Sequence, residues 1–238
     1  MICVSDLFRY DLSVPAELAE PAEHGSLPLR ERKKQRTRRA LADVALRLFS
    51  DRGFDRVTLE ELTAHVEVAR STFFRYYPSK EDVAMAAEGE LWQAYITHFQ
   101  DHDEPGPALP ALRASLVAAI HGMPDDWERR FLATRRLAAG TPVLRDHSIL
   151  SSMKVQQRLV EILETRLNTD SRYDVRLRLL GEFALSAWRC GARNWVAGRG
   201  NGKPGQEHQI GYGGLPMLAS LVEDAFDAIP ASLTLELP

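Results

Sequence analysis

The stretch from Arg70 to Lys80, R-S-T-F-F-R-Y-Y-P-S-K, sets the tightest limit on what this chain can fold into. A helix begins after Val68-Ala69 and runs to about Tyr76. Pro78 cannot continue it, and Ser79 starts a new helix as its cap. The segment before it carries a second short helix. Thr58-Leu59-Glu60-Glu61 is a capping box, in which the threonine hydroxyl takes a backbone N–H and Glu61 reaches back. Leu59, Leu62 and Val66 give that helix its buried side, and it stops near Val66 or Glu67. Further upstream, Leu41, Val44, Ala45, Leu48 and Phe49 recur at i, i+3, i+4, i+7 and i+8. They form one apolar stripe on a helix spanning residues 30–52, with Gly53 as its stop. Two short helices joined by a tight turn and packed on a longer first helix describe a helix-turn-helix. In that motif the second short helix enters the major groove of DNA.

Charge is distributed to match. The chain carries a net charge of −3, made up of −4 over residues 1–29, +6 over residues 30–80 and −5 over residues 81–238. Seven arginines and lysines fall within residues 30–39. Such a run suits phosphate contact and is costly to bury. A basic module on an acidic body fits a DNA binder with a regulatory domain, although a charge cluster on a solvated helix reads the same way from charge alone. No run of about eighteen apolar residues suggests a membrane span. The N-terminus has neither a basic start nor a long apolar core, so a secretory signal is not expected. Cys3 and Cys190 make no disulfide framework, and a reducing cytoplasm is the expected home.

Residues 1–29, interrupted by Pro15, Pro21 and Pro28, read as a disordered tail. Residues 81–238 read as all-helical. One helix is expected from Ser79 to about His98, then two over 108–121 and 125–139, separated by Gly122-Met123-Pro124. Thr141 caps the next helix with Pro142 in its first turn, and that helix runs to about Leu167. Between about Arg172 and Val196, the residues Leu180, Phe183, Ala184, Ala187, Trp188, Gly191 and Trp195 fall at helical spacing. Gly181, Gly191 and Ala192 allow close helix approach. Residues 198–214 read as a flexible connector. Leu215, Leu218, Val222, Ala225 and Ile229 form a final seam spaced 3-4-3-4, suited either to the internal core or to a partner helix.

Residues 33–80 resemble the DNA-binding domain of the TetR family of bacterial transcriptional regulators. The resemblance is carried by the basic first helix, by A-L-R-L-F-S-D-R-G-F-D-R-V-T-L-E-E-L and by T-F-F-R-Y-Y-P-S-K-E-D. Two positions depart from the family pattern: Glu67 stands where glycine is usual in the turn, and Ala69 where a capping serine or threonine is usual. The resemblance implies an all-α protein with a helix-turn-helix domain at 30–80 and a helical ligand-binding and dimerisation domain at 81–238. It implies DNA contacts from Arg36, Thr58, Arg70, Ser71, Thr72, Phe74, Tyr76 and Lys80. Arg70 is placed to read a guanine, and Lys80 to hold a phosphate at a helix N-terminus. It further implies a homodimer on a palindromic double-stranded operator, with Phe183, Ala187, Leu218 and Val222 at the dimer interface. The expected partner is a small-molecule effector that releases the repressor from DNA.

The segments F-L-A-T-R-R-L-A-A-G-T-P-V-L-R and W-R-C-G-A-R-N-W are similar to a subgroup linked to acyl-CoA-like ligands. This implies a small apolar or acyl-CoA-like effector in a pocket walled by Trp92, Phe131, Met153 and Trp188, with Arg135 or Arg136 for an acidic head group. No cofactor is expected. His98 and His102 share a metal-ligand spacing, but at a helix end they read as a solvated terminus, and no metal is expected. Gly198–Lys203 echoes a phosphate loop without its required glycine and hydroxyl spacing. Neither a G-x-S-x-G elbow nor an H-E-x-x-H pair appears, so an enzyme is not expected. Cys190 reads as a buried small hydrophobe. The alternative is a DNA-binding architectural or constitutive regulator with no effector, which a ligand-induced shift in thermal stability would separate from the first reading.

Overall fold

Ten α-helices make up the computed structural model, which describes residues 29–199, 211 and 213–237. They are α1 (Leu29–Arg52), α2 (Leu59–His65), α3 (Arg70–Tyr76), α4 (Lys80–Ala84), α5 (Ala86–Asp101), α6 (Ala108–His121), α7 (Trp127–Gly140), α8 (Pro142–Leu167), α9 (Val175–Val196) and α10 (Gly214–Ser232). The expected tail lies outside the described residues apart from Leu29, as do the middle of the connector and most of the Gly198–Lys203 segment. By internal contact, residues 1–36 form one unit and residues 37–238 another. Of the first unit, only the N-terminal turns of α1 are described, and there Arg36 is exposed. Among the described residues no helix is long and apolar enough to cross a membrane, and no group of three or more His, Cys, Asp or Glu is placed to hold a metal ion.

Local chemistry sets the short helices. Thr58 accepts from the Glu61 backbone N–H while the Glu61 carboxylate accepts from Thr58 N at 2.8 Å, so both halves of the capping box are made. Gly53 ends α1 at φ +87°. Glu67 takes φ +55° in the turn between α2 and α3, a left-handed conformation that strains a residue with a Cβ. Ala69 sits at the N-cap of α3 and offers no side-chain hydrogen bond. Both departures therefore leave a small deficit in the turn. Glu67→Gly and Ala69→Ser are each expected to raise stability by about 1 kcal/mol, read as an upward shift of the urea midpoint with an unchanged slope.

Two apolar clusters hold the second unit together. One joins Leu41, Ala45, Phe49, Leu62, Phe73 and Tyr77 of the helix-turn-helix region. Ala138 of α7 and Leu144 of α8, both fully buried, sit in this same cluster, so the motif rests on the body rather than standing apart from it. The other cluster joins α5 to α10 around Tyr95, Phe99, Trp127, Phe131 and Trp195. Each large apolar side chain so buried contributes about 1.5–3 kcal/mol.

The structure corrects several expectations. The helix expected from Ser79 to His98 is broken at Met85 (φ −99°, ψ 18°). Carbonyls on either side of the break are engaged by α7: Thr134 donates to Ala84 O at 3.4 Å and Trp127 Nε1 to Ala87 O at 2.8 Å. The helix expected from Arg172 starts at Val175, because Asp174 caps it by accepting from Arg176 N at 3.0 Å. Thr141 precedes α8 without making a side-chain cap bond. Cys190 is exposed, not buried.

The four residues expected at a dimer interface are placed unlike one another in the single chain. Leu218 and Val222 are 0% exposed within the single chain, and Ala187 is buried. Their neighbours are internal: a Cβ on Gly191 would lie 2.8 Å from the backbone nitrogen of Val222, so α9 and α10 touch main chain to main chain there. These three residues have no surface left for a second copy, and of the four only Phe183 stays partly exposed.

Candidate nucleic-acid interface and cavity

Helix α3 turns one side inward. Phe73 is fully buried and stacks obliquely with buried Tyr77, whose hydroxyl donates to Arg38 O at 3.1 Å. That anchoring leaves Arg70, Ser71, Phe74 and Arg75 exposed, with Thr72 and Tyr76 half-buried between the two faces. Phe74 is 43% exposed, an unusual position for a phenyl ring that has no partner requirement in water. The Arg70 guanidinium lies 5.6 Å above the Phe74 ring and pairs with Glu60 of α2 at 2.9 Å. Both members of that pair are solvated, so it is worth at most about 1 kcal/mol. Arg75 lies 5.3 Å over Tyr76. The outer side of α3 thus presents guanidinium, hydroxyl and aromatic groups together.

Lys80, the first residue of α4, reaches back instead of outward. Its Nζ donates to Phe54 O at 2.6 Å and lies 4.1 Å from the Phe54 ring centroid and 5.5 Å from that of Phe49. Desolvation there holds its pKa below the ordinary lysine value, with Asp55, Glu81 and Glu61 pulling the other way. An ammonium has three donors, so one carbonyl bond leaves donors for a phosphate. Thr58 spends its hydroxyl on the capping box.

A cavity of about 470 Å³ opens among α5, α7, α8 and α9. Trp92, Phe131, Arg135 and Trp188, all expected here, line it. Met153 does not: it is 55% exposed. The cavity face of α8 runs through Arg145, Ser148, Ile149 and Ser152, and Met153 falls one step beyond it. Arg136 is exposed and is not part of the lining. The residue at the centre was not foreseen. Glu88, 4% exposed, accepts from Trp92 Nε1 (3.3 Å), Ser148 Oγ (2.8 Å) and Arg135 Nη1 (3.0 Å). Its signal in the sequence is an acid four residues, about one helical turn, before Trp92.

The cavity wall is bonded to the helix-turn-helix region. Beside Ser148 on α8, His147 Nε2 lies 3.2 Å from Asp82 of α4. The other Asp82 oxygen accepts from Ser79, the N-cap residue of α4, at 2.6 Å. Burial alone would raise the Asp82 pKa, but the bonds from His147 and Ser79 outweigh it and hold the carboxyl below its ordinary value of 3.8. A carboxyl depressed in the folded state adds stability above its unfolded pKa and loses it as pH falls through the folded one. Asp82→Asn is therefore expected to lower the urea midpoint at neutral pH, with the difference from wild type closing as pH drops through the carboxylate range. A constant difference at all pH values would mean that the charge is irrelevant. Deeper in the body, Arg130, 2% exposed, joins α7 to α5 by donating from Nη1 to Glu90 at 2.9 Å. Asp126 bridges Arg130 to Arg39 of α1.

A short helix pair with an exposed, cation-bearing second member, seated on a helical body, defines a helix-turn-helix transcriptional regulator. Sequence comparison places it further. The profile of bacterial regulatory proteins of the tetR family matches residues 41–87. Over 173 residues the chain is 30% identical to the HTH-type transcriptional regulator TcmR of Streptomyces glaucescens, covering 70% of this chain and 76% of that protein. The chain belongs to the TetR family. It is also 23% identical over 172 residues to the putative mycofactocin biosynthesis transcriptional regulator MftR of Mycobacterium tuberculosis, covering 72% of this chain and 70% of that one. A solved transcriptional regulator from Aquifex aeolicus VF5 superposes over 81% of this chain and 99% of its own, with 15% identity and a TM-score of 0.47.

Proposed function

We propose that this chain is a homodimeric repressor that binds a palindromic operator and is released from it by a small-molecule effector. Residues 30–80 read the DNA and residues 81–238 hold the effector and the partner subunit. The observation that carries the DNA reading is the exposed side of α3, where Arg70, Ser71 and Phe74 face solvent, with Arg70 paired to the solvated Glu60. Arg70 reads a base, Phe74 packs on a thymine methyl, and Ser71, Thr72, Tyr76 and Arg36 add backbone or base contacts.

The effector reading is supported by the aromatic cavity and by its bonded path to α4. A ligand that moves Ser148 also moves neighbouring His147, and with it Asp82, Ser79 and Lys80. A coupling of about 1–3 kcal/mol makes a working switch. For the dimer, the outer side of α9 offers an uncharged stripe, Leu179, Phe183, Ser186 and Cys190, spaced 4-3-4. Leu179 is 44% exposed, which is the cost a partner helix would relieve.

Selection from random duplexes with the full chain tests the core of this reading. The expected product is an inverted repeat bound by two chains. Recovery without any sequence preference would overturn the assignment of α3 as a reading helix.

A further inference from the structure

The cavity is more specific than an apolar hole. Its deep wall is aromatic: Trp92 meets Trp188 edge to face at 5.4 Å and 73°, and Phe131 meets Trp188 at 5.9 Å and 72°. Rings set at right angles leave a corner in which a flat ring stacks on one face and meets another edge-on. Large aliphatic side chains, which would suit a flexible chain, are few in the lining: Ile149 and Val196. Four arginines, Arg135, Arg145, Arg189 and Arg193, line the same cavity against one carboxylate, Glu88. Among the described residues, Arg145, Arg189 and Arg193 pair with no acid; Arg145 donates to Ala139 O and Arg189 to Ser186 Oγ.

Glu88 offsets one of these charges, that of Arg135, with which it pairs at 3.0 Å, and leaves the lining with an excess of positive charge. Its two oxygens are already occupied by Trp92, Ser148 and Arg135. Its bonds fix the Trp92 indole and the Arg135 guanidinium in place, which makes it a positioning residue. Arg135 spends one of its nitrogens on Glu88 and Ser148, and a guanidinium has further donors for a planar acid group.

We propose that the ligand of this cavity is a planar aromatic anion, its ring held in the Trp92–Phe131–Trp188 corner and its acidic group held by Arg135 with Arg189 and Arg193, and not a long acyl chain. This rests on reading the cavity as the effector site. The guanidiniums serve both parts of such a molecule, since they pair with acids and stack on rings.

The test uses two dyes with the same skeleton, 1-anilinonaphthalene-8-sulfonate, an anion, and N-phenyl-1-naphthylamine, which is neutral. Both are titrated into the full chain by fluorescence, with hexadecanoyl-CoA as competitor. The anion is expected to bind about tenfold tighter or better, one charge-assisted bond being worth at least that. Arg193→Ala, and the paired change Glu88→Gln with Arg135→Met that leaves no lone buried charge, should each remove most of that preference. Arg193→Ala should leave the neutral dye's affinity close to wild type, and the paired change should weaken the neutral dye far less than the anion. Ser152→Trp, at the mouth, should abolish binding of both.

Equal or tighter binding of the neutral dye would overturn the anion assignment, as would variants that weaken both dyes alike or dye binding that survives Ser152→Trp. Tight binding of hexadecanoyl-CoA with the charge preference absent would overturn the aromatic class while leaving the effector reading intact. If neither dye nor hexadecanoyl-CoA bound, both the proposal and the effector reading would fall.

Discussion

Leu218→Glu will yield an unfolded or molten chain, while Phe183→Glu will yield a folded monomer. The two residues lie on the last two helices and look alike in sequence, yet their surroundings differ. Leu218 is 0% exposed and belongs to the α5–α10 core. A carboxylate there loses its hydration without gaining a partner, on top of the lost apolar contacts. The expected loss is about 4 kcal/mol or more, a large share of what a domain has. Gly191→Val should act the same way, because the first carbon it adds already stands 2.8 Å from the Val222 main chain. Backbone on both sides leaves nothing flexible to yield. Phe183, by contrast, is half-buried on the uncharged outer stripe of α9. A glutamate there meets water in the monomer and would meet an apolar partner in the proposed dimer. Sedimentation velocity with circular dichroism separates the cases. A folded, monomeric Leu218→Glu would restore this residue to the interface, and a dimeric Phe183→Glu would remove the outer stripe from it.

That contrast shows where sequence reading reaches and where it stops. Periodicity at Leu215, Leu218, Val222, Ala225 and Ile229 reports that a face is covered. It carries nothing about whether α9 of the same chain or a second chain covers it. The helix-turn-helix was legible because its determinants are local: the Thr58 capping box, the stop at Gly53, Pro78 followed by Ser79. Even the strain was legible, in Glu67 and Ala69. The break at Met85 was not, because its cause lies more than forty residues away in Trp127 and Thr134. The cavity was half legible. Trp92, Phe131 and Trp188 announced themselves as large rings on long helices, but the lining on α8 depended on a helix rotation that the sequence left open. The cavity takes Ser148 and Ser152 from that helix and leaves Met153 outside. Glu88 reads as a surface acid until Arg135, forty-seven positions on, is seen to meet it.

Lys80→Met will weaken binding to all duplexes alike and flatten its dependence on salt. In the DNA-free chain the ammonium rests on Phe54 O and on two aromatic rings. Methionine keeps most of the aliphatic stem packed on those rings, so the urea midpoint should move little. The phosphate contact proposed for Lys80 is a different matter. Each one contributes about 0.9 to the slope of log affinity against log salt, and a dimer loses two. The slope should become shallower by about 1.8, and affinity near 0.1 M salt should fall on the order of 10- to 100-fold. Arg70→Ala should behave differently. Freeing Arg70 from solvated Glu60 costs little, so the arginine is available to DNA, and its removal should relax preference at one base pair per half-site, by about 1–3 kcal/mol, with little change in slope. If Lys80→Met left the slope unchanged, its ammonium would be a structural tie between α4 and Phe54 and nothing more. If Arg70→Ala flattened the slope without changing the selected sequence, Arg70 would hold a phosphate, and base reading would pass to Ser71, Thr72 and Phe74.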